Sequence, residues 1–205
     1  LITKKNDAVR RCPSEGYNCD KISIEKLKHF VSKEALNIDG FGKKIVENFW
    51  KLNLIKFPQD IFKLDYKEIE ELDGWGILSV KNLEYSINSK KNISLERFIY
   101  SLGIRHIGLE NAKLLSKYFG SFKKFKELSH SGYSELINID GIGETQVTSI
   151  KNFFSNSTNL KILNELEKIL VINNAVSKIK KGLLKGKTFL VTGKLNGISR
   201  AEVKS

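Results

Sequence analysis

The sequence predicts a mainly helical fold in which one unit, helix, tight glycine hairpin, helix, is repeated four times. Three observations carry this reading. First, a short segment recurs as Ile38-Asp39-Gly40-Phe41-Gly42, Leu72-Asp73-Gly74-Trp75-Gly76, Ile104-Arg105-His106-Ile107-Gly108 and Ile139-Asp140-Gly141-Ile142-Gly143. Second, the final glycines (Gly42, Gly76, Gly108, Gly143) stand 34, 32 and 35 residues apart, a spacing that belongs to repeated helical units. Third, each is followed by apolar residues at four and seven positions: Val46 and Phe49, Val80 and Leu83, Ala112 and Leu115, Val147 and Ile150. Those positions share one face of a helix that starts at the glycine.

The remaining elements come in chain order. Residues 24–35, 61–72, 95–102 and 122–136 carry spaced apolar residues that suit the helix before each hairpin. Leu160, Leu163, Leu166, Ile169 and Leu170 mark an amphipathic helix that closes the repeats. Residues 173–182 then read as a polar, basic linker. Beyond it, residues 184–193 read as a turn feeding a short buried strand, Phe189 to Val191, with Ser199 a candidate N-cap of the next helix.

The hairpins are the candidate site. Glycine accepts positive φ and lets another backbone come close. The apolar residue between the two glycines can tuck under the turn and pin it. N–H groups of the turn and of the next helix's first residues then face outward, where the helix dipole makes them a nest for an anion. A phosphate fits there without any base being read. One such hairpin is a weak signal, since a helix C-cap followed by a turn looks the same; four in register say more. The residues expected to hold phosphate are Gly40, Gly42, Lys43, Lys44, Gly74, Gly76, Arg105, His106, Gly108, Gly141 and Gly143. Copies one and three, with Lys43, Lys44, Arg105 and His106 beside the turn, should hold it more firmly. Copy two has Glu70, Glu71 and Asp73 nearby, and copy four has Asp140 and Glu144. The alternative is that some copies only pack against each other. Asp39, Asp73 and Asp140 are read as turn formers whose side chains bond turn N–H groups.

Composition agrees with a polyanionic partner, though modestly. The net charge is +12 and the pI about 9.6. Lysine supplies 30 of the 35 cations, however, and many of these belong on solvated faces. No apolar run reaches the roughly 20 residues that span a bilayer, and no secretory signal pattern opens the chain. Two cysteines imply no disulfide framework. The expectation is a soluble, cytoplasmic protein without a membrane partner.

Cys12 and Cys19 supply two thiolates, half of a tetrahedral structural zinc site; as an isolated pair they read as unrelated free cysteines. Three stretches after them are more specific: His29-Phe30-Val31-Ser32, Asn37-Ile38-Asp39-Gly40, and above all Leu102-Gly103-Ile104-Arg105-His106-Ile107-Gly108. The corners over residues 38–150 resemble the helix-hairpin-helix DNA-binding motif. With the cysteine pair, the set resembles the C-terminal part of bacterial NAD-dependent DNA ligase, in which copy three tolerates His106 in place of glycine. That resemblance implies the second half of a four-cysteine zinc finger in residues 1–22, with Cys12 and Cys19 as ligands and the first pair upstream of Leu1. It further implies a tandem helix-hairpin-helix domain in 23–172, a linker in 173–183 and the start of an α/β BRCT domain in 184–205.

The implied function is to grip nicked duplex DNA by its backbone, as a monomer, while the parent enzyme seals nicks in replication and repair. That enzyme uses NAD and magnesium and carries its nucleophilic lysine in a K-x-D-G motif. Here the residues two before the aspartates of the D-G pairs are Asn37, Glu71 and Asn138, so no catalytic residue is assigned and this portion is expected to be inactive alone. Two rival readings stand beside it: a non-catalytic DNA-binding subunit of a repair or junction-processing complex, and a helical domain that docks proteins.

Overall fold

A helix begins directly after each of the four final glycines in the computed structural model, which describes residues 16–128 and 133–175. These helices are α2 (Lys43–Lys51), α4 (Ile77–Ser89), α6 (Leu109–Phe119) and α8 (Glu144–Ser155). The segments before the hairpins hold α1 (Asp20–Val31), the short α3 (Tyr66–Glu70), α5 (Leu95–Ser101) and α7 (Phe122–Glu127). The closing helix is α9 (Ser157–Ile169).

All four corners are built on one backbone scheme. The N–H of the apolar middle residue donates to the carbonyl three residues earlier: Phe41 to Ile38, Trp75 to Leu72, Ile107 to Ile104, Ile142 to Ile139, at 2.9–3.2 Å. The residue just before that donor has positive φ, +76° at Gly40, +80° at Gly74, +62° at His106 and +87° at Gly141. Asp39, Asp73, Arg105 and Asp140, which precede it, do not. This is the pattern of a type II turn, whose third residue demands glycine or a tolerant substitute. The final glycine is extended and caps the next helix.

The core confirms the apolar columns. Phe41, Ile107 and Ile142 are buried at 2%, 6% and 4% exposure, while Trp75 is half-buried. Val46, Phe49, Val80, Leu83, Ala112, Leu115 and Ile150 are buried; Val147 is half-buried. Aromatic contacts then tie the corners into pairs. Phe49 stands between Phe41 (5.6 Å between ring centroids) and Trp75 (5.5 Å), joining corners one and two. Phe125 stands between Phe119 (5.6 Å) and Phe154 (5.3 Å), joining three and four. Fully buried Phe125 is a keystone of that pair, and its truncation to alanine costs about 3–5 kcal/mol.

Polar contacts join the two pairs. Arg97 on α5 donates from Nε to the Ala35 carbonyl (2.8 Å) and from a terminal nitrogen to the Lys33 carbonyl (2.6 Å), clamping the loop before corner one. His29 Nε2 lies 2.7 Å from the Tyr100 carbonyl and its ring packs on Tyr100, so it is a packed helix residue. Lys63 reaches Glu165 of α9 at 2.9 Å.

Three expectations are corrected. The helix expected over 61–72 is broken, because Asp65 accepts from the amides of Lys67 and Glu68 and starts a separate helix. Before it, Pro58–Lys63 is a 3-10 turn held by the Asp60 carboxylate on the amides of Lys56 and Phe57. The helix expected over 122–136 ends at Glu127, and a 3-10 turn, Ser134–Asn138, leads into corner four. Asn173, expected to open the linker, ends strand β2 (Val171–Asn173), which pairs in parallel with β1 (Asn92–Ser94). The rest of the linker beyond Ala175, the strand expected at 189–191, most of the cysteine-bearing segment and His130 lie outside the described residues.

Two measurements test this packing. Alanine at Gly40, Gly74 or Gly141 must adopt positive φ and should cost about 1–3 kcal/mol. Gly141→Ala should cost clearly more than the other two in thermal melts, because its Cβ would sit 2.9 Å from Leu114 Cδ1 whereas the others meet nothing within 4 Å. The second concerns pH. Hydrogen bonds from Lys168, then Lys63, hold the Glu165 carboxyl at about 2. A depressed carboxyl contributes stability above its ordinary range and loses it as pH falls toward its folded value. Stability should therefore drop between pH 4.5 and 2, and Glu165→Gln should flatten that part of the profile.

Candidate nucleic-acid interface

Both glycines of corners one, two and four are solvent-exposed, as are His106 and Gly108 of corner three. The hairpins are thus surface features pinned from beneath by their middle residues. The N–H groups of Gly42, Gly76 and Gly108 have no intramolecular acceptor among the described residues. The first amides of the helices that follow are unpaired by helix geometry. Each of these corners presents a short row of N–H donors at the positive end of a helix, which is suited to an anion.

Charge separates the corners. Corner one opens onto a groove of about 690 Å³ whose charged lining is Lys28, Lys33, Lys43 and Lys44 with one acid, Asp39. Lys28 is neutralised by Glu25 and Glu47, both at 2.6 Å, and these bonds raise its pKa. Lys33, Lys43 and Lys44 are exposed and have no carboxylate within ion-pair distance among the described residues. Corner one also shares a cleft of about 560 Å³ with corner two, lined by Asp39, Gly40, Gly74 and Trp75.

In corner three, Arg105 Nε lies 3.1 Å from His106 Nε2, and the Asn111 amide nitrogen donates to the His106 carbonyl (3.1 Å). The turn is thereby stiffened although a non-glycine residue occupies its positive-φ position. Corner two has exposed Glu70, Glu71 and Asp73, and its helix opens with exposed Ile77 and Leu78. In corner four, Asp140 and Glu144 flank the glycines, and Glu144 is exposed.

The structure places the sequence-predicted residues at four like corners but gives Asp39, Asp73 and Asp140 a different part. Their side chains bond no turn amide among the described residues, so the turns are closed by the backbone and by positive φ alone. Sequence reasoning missed Lys33, which has no motif signal. It also missed Gln146, whose Oε1 accepts from the Gly143 N–H at 3.2 Å. A glutamine three residues after a helix cap is a readable signal for that bond.

Cys19 stands at the cap of α1, bonded to no other cysteine among the described residues, with its carbonyl accepting from Ser23. Among the described residues, no three His, Cys, Asp or Glu side chains are grouped to hold a metal ion. No helix among them is long and apolar enough to cross a membrane.

Residues 97–163, which contain corners three and four, match the helix-hairpin-helix motif family. Over 204 residues the chain is 66% identical to a protein of Pelagibacter ubique (strain HTCC1062) named DNA ligase, covering 99% of this chain and 30% of that protein. A DNA ligase of Rickettsia bellii (strain RML369-C) is 41% identical over 212 aligned residues, covering 97% and 31%. One from Wolbachia pipientis subsp. Culex pipiens (strain wPip) is 44% identical over 198 residues, covering 95% and 30%. The chain spans less than a third of the length of these relatives.

A substitution tests the turn geometry. His106→Gly should keep the fold and raise stability by roughly 0.5–1 kcal/mol, since glycine takes positive φ without strain. The converse, Gly40→His, should lower it by about 1–2 kcal/mol. Chemical denaturation of the three proteins measures both.

Proposed function

We propose that this chain is the DNA-binding portion of a DNA ligase and that it holds duplex DNA at a nick by its sugar-phosphate backbone. The observation that carries the reading is the repeated corner, with exposed amides at a helix start, in a chain 66% identical along nearly its whole length to part of a DNA ligase. The corners whose final-glycine amide is open, one, two and three, would receive phosphates of the strands that flank the minor groove. Corners one and three, with Lys43, Lys44 and Arg105, would hold most firmly. Contacts of this kind read no base, so binding would be indifferent to sequence.

In this reading the four corners form a tandem helix-hairpin-helix domain. The parent enzyme is NAD-dependent and cytoplasmic, works in replication and repair, and supplies the adenylated lysine and magnesium from a nucleotidyltransferase domain. This chain, without a K-x-D-G lysine, forms no lysyl-AMP alone and binds as a monomer. Residues 184–205 would start a BRCT domain. Cys12 and Cys19 would supply two sulfurs to a four-sulfur structural zinc in the parent.

The test is binding to a nicked duplex over a salt series. Gly42→Leu and Gly108→Leu are informative because neither glycine has positive φ and a Cβ at either meets nothing within 4 Å. Both variants should fold normally yet bind at least tenfold more weakly, with leucine standing where the phosphate would sit. Lys43→Gln with Lys44→Gln should flatten the log–log salt slope by about 0.9 for each phosphate that is no longer neutralised. Unchanged binding by both leucine variants would favour the protein-docking alternative.

A further inference from the structure

We infer that corner four is withdrawn from anion binding by Gln146 and serves instead as a brace for the helix of corner three. The inference rests on the proposed backbone grip and names the residue that excludes one corner from it. The three other corners leave the N–H of their final glycine without an intramolecular acceptor among the described residues. In corner four that donor is taken by Gln146 Oε1 at 3.2 Å.

The residue three places after each final glycine decides this. Ile45 offers no acceptor, Ser79 makes no bond to the Gly76 amide, and Asn111 directs its amide to the His106 carbonyl instead. Of these four residues, only Gln146 turns back. Its oxygen stands at the mouth of the nest, 3.3 Å from where a Gly143 Cβ would be, and so competes for the place a phosphate oxygen would take. Asp140 and Glu144 flank the same opening, and neither is paired with a cation among the described residues. Meanwhile Gly141 lies so close to Leu114 of α6 that a Cβ would stand 2.9 Å from its Cδ1. The turn of corner four therefore fits against the helix whose start forms corner three.

Two experiments on the full chain decide it. In an amide NMR titration with inorganic phosphate, the Gly42 N–H should shift and the Gly143 N–H should not, whereas in Gln146→Ala it should. For a nicked duplex, Gln146→Ala should bind roughly threefold more tightly. Gln146→Ala with Glu144→Lys should steepen the salt slope by about 0.9, as one more phosphate is neutralised. The inference is overturned if Gly143 shifts with phosphate in the wild type, or if a folded Gln146→Ala binds DNA no more tightly. Failure of the backbone reading looks different: Gly42→Leu would then bind DNA as well as wild type.

Discussion

One backbone hydrogen bond, made four times, governs how this chain can meet a ligand. When the N–H of Phe41, Trp75, Ile107 or Ile142 closes back on the carbonyl three residues earlier, the chain reverses within four residues. That closure demands positive φ at the preceding residue. It also leaves the next glycine extended, with its amide directed away from the turn and a new helix starting at once. The donor row is therefore a consequence of the turn and needs no side chain. Side chains only decide whether the row is used, by adding cations, adding acids or filling it.

The closed turn must also be held still, and burial does this. Phe41, Ile107 and Ile142 carry their bulk into the core while the final glycine beside each stays wet. Each corner thus has an apolar root and a polar rim. The roots meet through Phe49 on one side of the molecule and Phe125 on the other, which fixes the corners as two pairs. Arg97 links the pairs with two hydrogen bonds to carbonyls of one loop, a geometry that a guanidinium fork suits and an ammonium cannot reproduce.

Much of this was legible because period and burial are local properties. The apolar residues at four and seven positions past each glycine predicted α2, α4, α6 and α8, and Leu163 and Leu166 predicted α9. The segments before the hairpins were less legible, since Asp60 and Asp65 compete for backbone amides and split an apolar pattern that looks continuous. The β1–β2 pairing, between residues about eighty apart, leaves no trace in short windows. At the candidate site, the glycines announced the turns and the lysines announced the charge. The aspartates misled, because Asp before Gly is common in turns whether or not its carboxylate bonds anything.

Corner three shows how far the scheme bends. His106 holds the left-handed position that glycine holds elsewhere, at φ +62°. Such a residue persists only where its surroundings over-determine it. Here Asn111 secures the His106 carbonyl, Arg105 meets its ring and buried Ile104 and Ile107 fix both ends of the turn. Glycine would be easier on the backbone but would remove the ring beside Arg105. The strain is thus offset by a second polar side chain at the rim, one that a glycine corner lacks. Corner four makes the opposite choice: its turn keeps the unstrained glycine, Gln146 takes the Gly143 N–H, and its close fit is against α6. The same backbone frame therefore serves both for reaching outward and for packing inward, and the residues within three positions of the final glycine determine which.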